Sequence, residues 1–296
     1  MSISKDPIPF AGCFRNDSLP ESNLVFVGIP DDSQSSYRVG CADGPKTIRR
    51  AYDGRSFNST TESGVDLNAA ITDMGDLARE ETWEASAENY SIRIHDLLRK
   101  DQTPFVAGGD HAVTVPVVEA FARMRAPVHP IHVVQIDAHP DVYPDFEGSR
   151  SSHACVAARL LEMEHVASVT QLGIRTLNAE QSGQLERYSD RLRILYAKDL
   201  IGKLPKLSHI AAGAPVYLTV DLDGFDPSVA PGVSHPVPGG LTSRQVLSFI
   251  ASADWRLVGM DVVELNPSVD FNQLTAILAA RLLHEGMGYV ASRKTI

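Results

Sequence analysis

The chain has 296 residues, 43% of them hydrophobic, and a formal net charge of -10. That length can bury a full core, and the acidic balance argues against nucleic acid or an anionic membrane as a partner. No apolar run is long enough to span a bilayer, and the N-terminus "MSISKDPIPFAG" lacks the apolar centre of a signal peptide.

Cys13, Cys41 and Cys155 form neither a CxxC pair nor a disulfide framework. The expected setting is therefore reduced and intracellular, with the cytoplasm as the simplest reading and an organelle left open. Along the chain, residues 1–22 contain Pro and Ser and are expected to form an N-terminal arm. Apolar runs of strand length then alternate with helical patterns. Strand 23–30 is followed by helix 44–52, strand 69–77, helix 87–100, strand 104–110, helix 113–124 and strand 131–139. Helix 153–164, strand 168–175, helix 178–188, strands 192–197 and 215–223, helix 242–253, strand 255–265 and helix 273–287 complete the series. Thr242 or Ser243 is placed to cap the helix at 242. The strands are nearly continuous in Val, Ile and Leu, as in a parallel sheet covered on both faces. Alternation of this kind predicts one α/β domain over 23–296, although length alone suggests two. Eight strands also fit a barrel, which is the competitor to a mainly parallel open sheet.

Four of these strands end in polar, ligand-type residues: "FVAGGDH", "VVQIDAHPD", "YLTVDLDGFD" and "GMDVVELNP". Residues two apart on a strand share a face. Asp137, His139 and Asp141 are thus expected to point one way if the backbone stays extended, as are Asp221 and Asp223. His111 follows Gly108 and Gly109, which permit a tight turn. Each segment taken singly reads more simply as a turn with a capping carboxylate. Together they offer four carboxylates and two imidazoles, and the charge of the carboxylates is balanced by two divalent ions. Oxygen donors without thiolate favour a hard ion such as Mn²⁺ over structural zinc. Two ions roughly 3.5–4 Å apart acidify a shared water, which implies hydrolysis at an electrophilic carbon or phosphorus.

The segments "GGDHAVTVP", "IDAHPDVY", "VDLDGFDPSVAPGVSHPVPGGLT" and "GMDVVELNP" resemble the ureohydrolase family of arginases and agmatinases. The resemblance runs from about Leu24 to Glu285. It implies a three-layer α/β/α fold around an eight-stranded, mainly parallel sheet, an open one, and a homotrimer or homohexamer. It also implies two Mn²⁺ per subunit, with His111 and Asp141 on the first, His139 and Asp223 on the second, and Asp137 and Asp221 shared. Glu264 matches the glutamate that pairs with the substrate guanidinium, and His153 the histidine that relays protons. Asp141 is expected to pass a proton toward the leaving amine. The products implied are urea and an amine.

The substrate is less clearly written. "GVSHP" departs from the Thr-Gly-Thr-Pro turn of many family members and, with "PDFEGSRSSHA", resembles plant-type arginases and agmatinase-like bacterial relatives. His235 is expected either to line the substrate channel or to cap the turn. Arg150, with Ser152 beside it, is expected to meet an α-carboxylate or to point to solvent. L-arginine is slightly favoured, with agmatine or another guanidino acid as the alternative. A non-catalytic relative, a single-zinc amide hydrolase and a metal-dependent phosphatase are the competing classes.

Overall fold

The computed structural model describes residues 10, 14–15, 23–53, 58–124 and 130–293. The elements in chain order are β1 (Phe14–Arg15), β2 (Leu24–Gly28), α1 (Gly44–Ala51), β3 (Ile71–Asp76), α2 (Trp83–Leu98), β4 (Thr103–Ala107), α3 (Thr114–Glu119) and β5 (Ile131–Ile136). They continue with α4 (Val156–Glu162), β6 (Val166–Ile174), α5 (Ala179–Arg187), β7 (Leu192–Tyr196), β8 (Pro215–Asp221), α6 (Ser243–Ser252), β9 (Arg256–Val263) and α7 (Leu274–Arg293).

The strands form one sheet in the order β1-β3-β2-β4-β9-β8-β5-β6-β7. Every ladder in it is parallel. The sheet ends at β1 on one side and β7 on the other, so it is open and the barrel is excluded. The eight expected strands are β2 to β9. The ninth, β1, is a two-residue addition from within the expected arm and pairs with Thr72 and Asp73. Phe10, also in that arm, is buried and stacks on Phe26 with ring centroids 4.4 Å apart. The remainder of residues 1–22 lies outside the described residues.

Strands β2, β4 and β8 are buried along their whole length. That follows from helices covering both faces. Ile48 of α1, Val246 of α6 and Leu282 of α7 pack on one face. Ile94 of α2, Val117 of α3 and Leu160 of α4 pack on the other. Each such side chain contributes about 1.5–3 kcal/mol of burial. Helix starts are written locally. Thr242 caps α6 and Asn178 caps α5, each in a reciprocal box with Gln245 and Gln181. The cap at α6 is therefore Thr242, with Ser243 already helical.

The strands β4, β9, β8 and β5 are consecutive in the sheet. Their carboxyl ends are the four polar-ended segments of the sequence. Four coincidences in the chain thus become one place in the fold, at the edge where open parallel sheets bind ligands.

Candidate metal centre and active site

The strands stop earlier than their apolar patterns suggest, and the polar residues are the reason. Asp110 accepts from the Ala112 N–H at 3.0 Å, Asp137 from His139 at 2.6 Å and Asp221 from Asp223 at 2.8 Å. A carboxylate that takes the N–H two residues on offers the backbone an alternative to the ladder, and the chain turns. Asp137, His139 and Asp141 consequently do not share a strand face. β5 ends at Ile136, and Asp141 has a left-handed φ of 49°. The aspartate–x–ligand spacing works through turns, not through strand alternation.

Close approach of the loops also fixes two glycines. A Cβ on Gly109 would lie 1.8 Å from the Asp31 carbonyl oxygen, and one on Gly224 would lie 2.7 Å from the Asp137 nitrogen. Gly109 is therefore required by proximity, since its φ is not positive.

The turns bring the expected ligands together. His111 Nδ1 lies 3.2 Å from Asp137 Oδ2, 3.1 Å from Asp141 Oδ2 and 3.2 Å from Asp221 Oδ2. His139 Nδ1 lies 2.9 Å from Asp223 Oδ2 and 3.7 Å from Asp137 Oδ1. Two ligand-competent groups result, one of His111, Asp137 and Asp141, the other of Asp137, His139 and Asp223. Asp137 belongs to both. The buried His111 Nδ1 makes no acceptable hydrogen bond despite its three carboxylate neighbours. Its Nε2 is 3.0 Å from Thr219 Oγ1. A ring held through one nitrogen, with the other facing three carboxylates, fits a cation between them.

The electrostatics agree. Burial, then the charge of Asp137, pushes Asp141 up to about 7. Burial and its carboxylate neighbours raise Asp221 as well. Burial works against charge on His139, but Asp223 and Asp137 overcome it and raise the ring to about 12. Burial likewise opposes charge on Asp137, yet the neighbouring His111 and His139 hold it below the usual carboxylate range. The cluster retains protons because so many buried carboxylates cannot all be bare. Cations bound there would take that place and release the protons.

Glu264 follows β9 directly, with φ of 64°. A side chain in that region costs on the order of 1–3 kcal/mol and needs firm support. Its N–H donates to Gly109 O at 2.9 Å. Its Oε1 accepts from the His111 N–H at 2.9 Å and lies 3.0 Å from His153 Nδ1. Its Oε2 takes the Cys41 thiol at 3.4 Å. Burial opposes the charge on both partners of the Glu264–His153 pair. Their mutual attraction prevails, lowering Glu264 to about 2 and raising His153 to about 9. His153 Nε2 sits 2.8 Å from Ser36 Oγ.

A cavity of about 350 Å³ opens over these groups. Asp141, Asp221, Asp223, His153 and Glu264 form its floor, and Tyr143, Phe146, Leu177 and Asn178 form part of its wall. His235 lines it too, with its ring 5.3 Å from that of His153 and 6.1 Å from that of His139. Larger hollows of about 560 and 380 Å³ lie elsewhere and contain none of the clustered groups.

Two expected substrate contacts fall elsewhere. Arg150 bonds Glu162 at 2.9 Å with its side chain 61% exposed, and it does not line the cavity. Glu147 and Gly148 both have positive φ, and the turn they make closes Phe146 onto Ser149. That turn puts Phe146 in the cavity and sends Arg150 outward. Ser152 caps the short helical turn at His153 by accepting from the Ala154 N–H. Cys41 and Cys155 are free and buried, and Cys13 lies outside the described residues.

Sequence reading missed Ser36, Cys41, Tyr143, Phe146 and Asn178. The segment "DDSQSSY" after β2 carried a signal, being polar and at the same sheet edge. Asn178 was visible as the first residue of an N-x-x-Q capping box.

The arginase family model matches residues 22–288. The chain is 36% identical over 272 residues to a mitochondrial arginase of Medicago truncatula, covering 88% of this chain and 79% of that one. It is 32% identical over 289 residues to an agmatinase of Sodalis glossinidius, covering 94% and 90%. The crystal structure of a hypothetical agmatinase from Burkholderia thailandensis superposes with a TM-score of 0.87 at 27% identity, covering 98% and 92%. The chain belongs to the arginase family, the hydrolases that act on guanidino compounds. No helix among the described residues is long and apolar enough to cross a membrane.

Proposed function

We propose that this protein is a binuclear manganese ureohydrolase that cleaves a guanidino compound to urea and an amine. The observation carrying the proposal is Asp137, common to two ligand groups built on His111 and His139. His111 and Asp141 would hold one ion, His139 and Asp223 the other, with Asp137 and Asp221 between them. Oxygen-rich donors without thiolate suit Mn²⁺. Bound there, the ions would supply an acidified water as nucleophile and neutralise developing charge.

The chain's own residues do the remainder. Glu264 presents a planar carboxylate to the planar guanidinium fork and orients its carbon toward the carboxylate cluster. The guanidinium replaces His153 as the cationic partner of Glu264. His153, at the cavity floor with its second nitrogen toward Ser36, moves protons between the site and solvent. Asp141, whose burial lifts it to about 7, is suited to hold and release a proton near the leaving nitrogen. Tyr143, Phe146 and His235 enclose the substrate chain and exclude water.

L-arginine is the first reading, supported by the 36% identity to a plant arginase. Agmatine is the second, because no Lys or Arg is among the described residues lining the cavity. A homotrimer or homohexamer in the cytoplasm is proposed with it. The test is urea release by Mn²⁺-loaded protein from arginine, agmatine, guanidinobutyrate and guanidinopropionate, compared as kcat/KM. Asp137→Asn is expected to abolish most release from the best of them. Full metal content and full activity in that variant would overturn the assignment.

A further inference from the structure

We infer that Gln135 and Gln171 form a buried amide relay that positions the Asp137–Asp141 turn, and with it the shared carboxylate of the proposed metal pair. The inference rests on the metal reading above.

The relay comes from sheet register. Gln135 of β5 and Gln171 of β6 are direct cross-strand partners. Both side chains are fully buried, deep beneath the site. Gln135 Nε2 donates to Asp137 Oδ2 at 2.8 Å. Gln171 Nε2 donates to Gln135 Oε1 at 3.0 Å and to the Pro140 carbonyl at 2.7 Å. The two ends fix both amide orientations. A carboxylate and a peptide carbonyl can only accept, so an amide nitrogen must face each.

The consequence is geometric. Asp137 Oδ1 is held by the His139 N–H and Oδ2 by Gln135, so the carboxylate plane is set from two sides. Gln171 holds the peptide immediately before Asp141, whose φ of 49° needs support. One amide nitrogen therefore ties the position of Asp137 to that of Asp141, and both stand within 3.2 Å of His111 Nδ1. Neutral donors accomplish this without adding a cation that would compete with metal. The arrangement has a cost: Gln171 Oε1 is buried and has no partner. Two polar residues inside a strand pair, one with an unsatisfied acceptor, are hard to account for by packing alone. These are positioning residues, acting through Asp137 and Asp141.

The experiment measures Mn²⁺ binding to the full chain by calorimetry and by the EPR spectrum of the ion pair, alongside the melting temperature of metal-free protein. The variants are Gln135→Leu, Gln171→Leu, the double variant, and the similarly sized Gln135→Met, which has no N–H to donate to Asp137. Loss of an orienting partner behind a metal ligand typically costs 10–100-fold in affinity. Each single variant is expected to weaken Mn²⁺ by roughly 10-fold or more and to alter the pair's EPR signal. The double variant should be weaker than either single one but by less than the sum of their losses, since Gln171 acts partly through Gln135 and partly through Pro140. Affinities within about threefold of wild type in Gln135→Met and Gln171→Leu would overturn the relay. So would strictly additive losses tracking the metal-free melting temperature. If wild-type protein itself binds no Mn²⁺, the metal reading fails instead, and the two failures are distinct.

Discussion

The two halves of the cluster differ in depth. His111 is 1% exposed and faces three carboxylates within 3.2 Å, whereas the His139 side chain is 29% exposed and has one carboxylate at 2.9 Å. The His111 half is enclosed between strand ends, and the His139 half opens into the cavity with His235 over it. The difference teaches that the same residue types do unequal work. Burial makes unneutralised charge costly on the inner side, so the inner group would depend on a bound cation for cohesion. The outer side can exchange with solvent.

The comparison breaks if the halves respond alike. His111→Ala should have the largest effect. It leaves buried carboxylates unpaired, so both ions should be lost and urea release should fall by on the order of 10³-fold or more, the scale of a lost preorganised charge partner. His139→Ala should retain about one ion per chain, read by metal analysis after gel filtration. Equal retention in the two variants would erase the inner–outer distinction.

Glu264→Gln comes next. It removes the charge that meets the guanidinium, and kcat/KM should fall about 10²–10³-fold, mostly through KM. It should also bring the His153 titration down from about 9 toward the ordinary imidazole value, a shift visible by NMR. An unchanged His153 titration would contradict the ion pair.

A smaller effect follows from that pair in the metal-free protein. The His153 pKa is raised on folding, so the stability it contributes is fully present below the unfolded value near 6.5 and is lost as pH rises through about 9. The melting temperature should fall more steeply between pH 7 and 9.5 in wild type than in His153→Asn, where the raised His139 still gives a decline. A parallel decline in both would assign the loss to other groups.

The smallest effect is expected at Arg150→Ala. Its exposed pair with Glu162 is worth less than about 1 kcal/mol, and KM should not move. A rise in KM confined to substrates with a carboxylate would return Arg150 to the cavity.

The contrast between what was and was not legible follows the same depth. Gly109, His111, Asp137 and Asp221 could be read because they sit where apolar strands meet a turn, a local pattern. The four strand ends also announced their common edge, since parallel α/β topology aligns them. The adjacency of β4, β9, β8 and β5 was not legible, because strand order depends on crossover choices far apart in sequence. Arg150 stayed open between cavity and solvent because its direction depends on the two positive-φ residues at Glu147 and Gly148. The Cys41 thiol meets Ser234 and Glu264 from 193 and 223 positions away, and the His235 ring lies against His153 and His139 of another segment. No period or motif encodes such pairs.

The central claim is that two ions share Asp137. Its most direct test is a titration of metal-free protein with Mn²⁺, following bound ions per chain and urea release from arginine and agmatine at each step. The account predicts saturation at two ions, an exchange-coupled EPR signal and urea release that grows with the second. Saturation at one ion, or two uncoupled ions without urea, would contradict it.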